Sequence, residues 1–245
     1  METEAWNAID RDDAEPVRRF LEQQLQRSSD QGEDALPPLE EWRVWRVVMK
    51  ALRGDIINAA PPGVNCNAAV AHCVCEHPLS RGMIERYPTK AMNAALLYDR
   101  PVALREVIGV VGPNHCNGFP LRGAIMRGCA TAVEVLLSDP RTDPNLSPHP
   151  PSHLLSPIRL ALDPSRLLLN RVNADIVIQL LVCPRLRIEG ETLNYVVEHI
   201  EEITERAMVE HNLVFIRPLL DHLSVRAAVP EDQRAQLLAM IDGTI

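Results

Sequence analysis

The chain has 245 residues, 46% of them hydrophobic but only 4% aromatic, with a net charge of −8 and 20 prolines against 11 glycines. That many prolines break long helices and central strands, so the composition points to many short helices joined by turns and packed through Leu, Ala and Val. It excludes a membrane span, which needs roughly 18 consecutive apolar residues, and the lack of a basic stripe with interleaved aromatics excludes a nucleic-acid partner.

Residues 1–40 carry eleven acidic side chains against four basic ones, while the remainder is close to neutral. The acidity therefore belongs to an N-terminal unit at 1–30 and its connection, and reads as a solvated capping face. Met1-Glu2-Thr3-Glu4 is acidic and no apolar leader core follows, so the expected location is cytoplasmic or nuclear. In that reducing setting Cys66, Cys73, Cys75, Cys116, Cys129 and Cys183 are expected as free thiols, mostly buried. Within the first unit Ala8, Asp12, Val17, Phe20 and Leu21 define a pattern of small residue, turn residue and apolar helical face.

Residues 31–90 are divergent. Pro38 to Asn58 fits no register, although Leu36-Pro37-Pro38-Leu39 to Leu52 has an F-box-like look that would favour a ligase adaptor. In His72-Cys73-Val74-Cys75-Glu76-His77, Cys73 and His77 share a helix face, as do His72 and Glu76, and each pair could offer two ligands to zinc. A closed site needs four ligands, so Cys66 or His115-Cys116 would have to complete it. The favoured reading is no metal, with the thiols in the core and the histidines beside the turn at Pro78.

Ala95, Asp99, Leu104, Val107 and Ile108 repeat the N-terminal pattern, and the stretch from Gly118 to Asn145 gives its fullest copy: turn, short helix, glycine turn at Gly128, second helix and Pro-rich exit. Gly128 ends the first helix in the left-handed conformation, and Val133, Leu136 and Leu137 recur on one face of the second. Pro157 to Ala161 restarts the pattern, Ile176 to Leu181 closes it after an insertion around Pro164 to Asn173, and Cys183-Pro184-Arg185 echoes Asp139-Pro140-Arg141. Phe215 to Leu220 matches the closing half again, and Glu231 to Ile241 reads as a terminal capping helix.

Pro120, Leu121, Ala124, Gly128, Leu136 and Leu137 occupy the slots of an ankyrin repeat, and the chain resembles a divergent ankyrin-repeat family protein. The resemblance implies an all-α fold, a single helical-repeat solenoid over 1–245 of stacked helix-turn-helix units with few or short β-turn fingers. The best-matching repeats lie at 91–222 with a Pro-rich insertion at 138–156, and the cap at 223–245. It further implies a non-enzymatic module that binds another protein through its concave face and loops. No cofactor is expected, and neither nucleic acid nor membrane is a partner.

The residues implied for partner binding are Asn117, Arg122 and Arg159 by family position, with Asp143, Asn145 and His149 in the Pro-rich exit, where an extended loop could touch the partner. The alternative is an architectural subunit held permanently in a larger assembly. Phosphate-loop, nucleophile-elbow, H-E-x-x-H and kinase signatures are all missing, and Glu201, Glu202 and Glu205 read as a solvated helix face near His199. Lys50 and Lys90 are the only lysines among 25 basic residues. Codon usage is the plain reason for that; a surface that resists ubiquitin transfer is the sharper one.

Overall fold

The computed structural model describes residues 1–30, 38–53, 68–97, 100–146, 155–163, 171–209 and 213–243. Among these residues the structure is all helical, without a strand. No helix among them is long and apolar enough to cross a membrane. The chain divides into two compact units, Met1–His115 and Cys116–Ile245.

In the first unit α1 (Glu2–Ile9) packs on α2 (Ala14–Asp30), followed by α3 (Pro38–Arg53), α4 (Ala68–Glu76), α5 (Pro78–Arg86), α6 (Pro88–Leu97) and α7 (Pro101–Val111). Proline opens α3, α5, α6 and α7, where its missing N–H costs nothing and its fixed φ suits the first turn. The helices pack in two rows: α1 on α3 and α3 on α6, beside α2 on α4 and α4 on α7. The core between the rows is aliphatic. Ile9, Leu21, Val47, Val48, Leu52, Val74, Ile84, Met92, Leu96 and Leu104 are fully buried. The segment that fits no sequence register, from Pro38 onward, is thus the middle helix of the first row; Asn58 lies outside the described residues.

Asp12 holds the left-handed conformation, φ 53°. Its amide donates to the Ile9 carbonyl (3.2 Å), and the Asp13 amide to the Ala8 carbonyl (3.0 Å). Gly128 is also left-handed, φ 67°, with Gly128 N–H to Ile125 O (3.0 Å) and Cys129 N–H to Ala124 O (3.0 Å). The two helix ends, aligned from sequence through Ala8/Ala124 and Asp12/Gly128, are therefore the same hydrogen-bonded stop. A third, Arg100 N–H to Ala95 O at 3.3 Å, recurs at the next aligned position, although Asp99 itself lies outside the described residues. At the first of these stops a carboxylate does more than a glycine can. Asp12 Oδ1 accepts from the Val70 amide (3.1 Å) and Oδ2 from the Ala69 amide (3.3 Å), capping α4 from a turn 57 and 58 residues away.

The second unit runs through α8 (His115–Arg127), α9 (Ala130–Ser138), α10 (Pro157–Ala161), α11 (Arg171–Val182), α12 (Gly190–Glu198), α13 (Ile200–Val209), a 3-10 turn (Leu213–Phe215), α14 (Ile216–Asp221), α15 (Leu223–Ala228) and α16 (Glu231–Ile241). Cys116, Asn117 and Gly118 are successively left-handed and break the start of α8, so the regular helix follows them. Again the packing is in rows: α9 on α11 and α11 on the 3-10 turn and α14, beside α10 on α12 and α12 on α15. α16 packs on α13. Leu136, Ile158, Val177, Leu180, Phe215, Ile216 and Leu219 fill the core, while Leu137 and Leu181, the second members of their apolar pairs, are only half-buried.

Candidate functional site

In the second unit the two exits that echo each other in sequence lie side by side. The first, Asp139 to Leu146, is a series of turns. Asp143 Oδ1 accepts from the Asn145 amide (2.9 Å) and from Asn145 Nδ2 (3.1 Å), an Asx turn that fixes the Asn145 side chain. That side chain then pairs with the second exit as a neighbouring backbone would: Nδ2 donates to Arg185 O (2.8 Å) and Oδ1 accepts from the Arg187 amide (2.6 Å).

The reciprocal tie comes from Arg185. Its guanidinium donates back to the carbonyls of Asp139 (2.9 Å), Pro140 (2.7 Å) and Thr142 (2.7 Å), and also to that of Leu137. It thereby occupies carbonyls at the carboxyl end of α9, where a cation is electrostatically favoured. Buried Thr142 adds a bond from Oγ1 to Leu136 O, 2.5 Å. Between the exits lies a groove of about 760 Å³ whose rim includes Arg141, Asp143, Asn145, Arg187, Glu189 and Thr192. Arg141 is held to Asp139 by a two-point ion pair whose shortest contact is 2.7 Å, and its hydrogen bond keeps the Asp139 carboxyl below the usual carboxylate range. The Arg187 and Glu189 side chains are exposed and make no polar contact within the described residues.

The sequence candidates separate accordingly. Asp143 and Asn145 belong to the clamp. Asn117 is exposed, but Arg122, expected on a partner-facing surface, is 5% exposed and donates to the Asn117 carbonyl. Its bond to that carbonyl closes the turn that opens α8, so the side chain is turned inward, and burial pushes its guanidinium pKa down. Arg159 is half-buried with its guanidinium 4.4 Å over the Tyr195 ring, and Tyr195 in turn stacks on His199 at 4.3 Å. His149 lies outside the described residues, as do Pro148, Pro150, Pro151 and His153 of the same insertion.

Cys73 and His77 each have a partner other than one another. Buried Cys73 faces the Ala14 carbonyl (3.9 Å), and burial raises its thiol pKa. Burial also pushes the Cys75 thiol up to about 12. His77 Nδ1 accepts from the Leu79 amide (3.3 Å) as the N-cap of α5. His72 sits between Glu76 (3.3 Å) and Glu106 (3.2 Å). Among the described residues no three His, Cys, Asp or Glu side chains converge as a metal site; Cys66 lies outside them. Glu201, Glu202 and Glu205 are exposed along α13.

The structure also assembles a surface that sequence reasoning missed. All three tryptophans of the chain gather on the α1–α3–α6 row of the first unit. Arg46 lies 5.1 Å from the Trp6 ring and 4.8 Å from Trp42, while Trp45 meets Tyr87 at 5.4 Å. Lys50 is held over Trp6 at 4.5 Å and ion-paired with Asp10 at 2.7 Å. Helical spacing of Trp42, Trp45 and Arg46 was the available signal, and only the packing of α1 and of the α5–α6 junction on α3 adds Trp6 and Tyr87. No family model matches the chain, and neither the curated proteins nor the solved structures include a significant match to it.

Proposed function

We propose that the chain is a non-enzymatic, ankyrin-like helical-repeat module whose second unit binds another protein at the groove between the paired exits. The repeat reading draws support from the same hydrogen-bonded stop after Ala8, Ala95 and Ala124 and from the two-row packing within each unit. One observation carries the binding reading. The exit backbones are tied together by Asn145 and Arg185, while the Arg187 and Glu189 side chains at the groove rim are exposed and have no polar partner among the described residues. A surface of opposite charges on a rigid frame loses little conformational entropy on binding, and that preorganisation favours recognition.

The test is a charge swap. Arg187→Glu with Glu189→Arg should leave thermal melting within about ±0.5 kcal/mol of the parent, as exposed positions do. In a proximity-labelling comparison the swapped chain should lose a defined set of neighbours. If both chains label the same proteins, the groove is not the binding surface. The architectural alternative is favoured by exposed Val209, Val214 and Leu223, the last at 83% exposure; a chain that sediments as a soluble monomer after purification alone would count against it.

A further inference from the structure

The first unit holds a small pocket of about 260 Å³ between α3, α5 and α6. Trp42, Trp45, Met83 and Tyr87 form its walls, with Glu41 and Lys90 at the rim. Trp42 is 55% exposed although Arg46 packs on its ring, so a large aromatic face stands in water on a rigid helix. We propose that this pocket docks a segment of a partner protein that buries one apolar side chain against Trp42 and Trp45 and places a neighbouring carboxylate on Lys90.

The charges choose the occupant. Glu41 Oε1 already accepts from Arg86 (3.1 Å) and from the Tyr87 hydroxyl (3.1 Å), and the Tyr87 ring faces the Arg86 guanidinium at 5.5 Å and the Lys90 ammonium at 5.1 Å. A cationic ligand would meet an occupied ring and a neutralised carboxylate, so this is no cage for a quaternary ammonium. Arg43 pairs with Glu40 (2.9 Å) and Glu2 (3.8 Å), and Arg46 with Glu2 (3.7 Å). Lys90 is exposed and has no acidic partner among the described residues. A single cation at the rim without an acidic partner among the described residues suits one carboxylate, whereas a nucleic-acid backbone gains its affinity from several phosphates.

Volume narrows it further. Pockets for whole small molecules run at roughly 300–1,000 Å³, and this one falls below that range while holding a single large side chain. Tryptophan and tyrosine around a central anchor, with a charged rim, form the arrangement in which a few residues supply most of the binding energy. The site is in the first unit and independent of the groove proposed above.

A random peptide library displayed on phage, selected on the full chain, tests the proposal. Enriched peptides should place Leu, Met, Phe or Trp within a few positions of Asp or Glu. Synthetic copies, followed by quenching or shift of tryptophan emission, should bind at least about tenfold more weakly to both Trp42→Ala and Lys90→Glu, the size expected for a central aromatic contact and its ion pair. Arg187→Glu should bind them as the parent does, which separates failure here from failure at the groove. The unfolding curve of Trp42→Ala guards against a folding defect, and Lys90→Glu, at an exposed position, supplies an independent reading. Enrichment without the acidic residue, parent-like affinity for either variant, preferential binding of a single-stranded oligonucleotide, or self-association lost on Trp42→Ala would each overturn it.

Discussion

Replacing Arg185 with Ala removes one guanidinium that four carbonyls share, those of Leu137, Asp139, Pro140 and Thr142. Hydrogen bonds to a charged group net about 1.5–3 kcal/mol each, but they do not sum here. One guanidinium is desolvated once for all of them, and water can refill the exposed Pro140 carbonyl. Buried Thr142 and half-buried Leu137 and Asp139 keep most of the penalty, so the expected loss is ~3 kcal/mol. At ~2–4 °C per kcal/mol for a chain of this size, the melting temperature should fall by ~6–12 °C in a thermal scan followed by circular dichroism. Arg185→Lys should recover less than half of this, because a compact ammonium cannot span four acceptors as a planar fork does. If Arg185→Ala melts within about 1 °C of the parent, or Lys restores it in full, the clamp does not hold the exits.

Three further outcomes follow from the same kind of argument. His77 must be neutral at Nδ1 to accept from Leu79, and burial lowers its pKa, as it lowers that of His222. The folded state thus binds these protons less tightly than the unfolded chain, whose histidines titrate near about 6.5. Stability is complete above that value and declines as pH falls through the window below it; His77→Asn, an acceptor without that titration, should flatten the melting-temperature profile between about pH 7.5 and 5. At Asp12, Asn keeps the left-handed turn but one acceptor in place of two, so it should cost less than Gly; Gly should cost ~1 kcal/mol through the lost cap on α4, and Ala ~2–3 kcal/mol by adding left-handed strain; a Gly variant more stable than the parent in urea unfolding would refute the capping role. Leu136→Ala should cost ~2–5 kcal/mol and Leu137→Ala clearly less, since only the first is fully buried; equal costs in urea unfolding would contradict the packing of α9 on α11.

What could be read from sequence was whatever leaves a local mark. A left-handed helix end needs Gly, Asn or Asp, so Asp12 and Gly128, 116 positions apart, could be aligned and share the same hydrogen bonds. The Asp-Pro-Arg and Cys-Pro-Arg exits could likewise be paired, though not the direction of the ties between them. Helix α3 escaped because its apolar face is made of Val44, Val47, Val48, Ala51 and Leu52, a pattern any amphipathic helix could show. The fate of Arg122 was equally hidden, since only the run of left-handed residues at 116–118 turns the Asn117 carbonyl to where that side chain can reach it. An aromatic content of 4% concealed the tryptophan surface, because composition averages over the chain what α1 and α3 collect in one place.

The backward reach of Arg185 gives the second unit a direction in time. Its side chain seals carbonyls 43 to 48 residues earlier, so a ribosome has long since delivered α9 when the residue that closes its carboxyl end arrives. At about 5–20 residues per second that delay is roughly 2–10 seconds. During it the helix can form and pack, but its exit stays open to water and to any chaperone that reads unsealed ends. A stalled or truncated chain that stops at Pro184 would therefore carry α9 and α11 yet leave the turn between Asp139 and Thr142 unfastened, whereas one that continues past Arg187 would already hold both halves of the clamp.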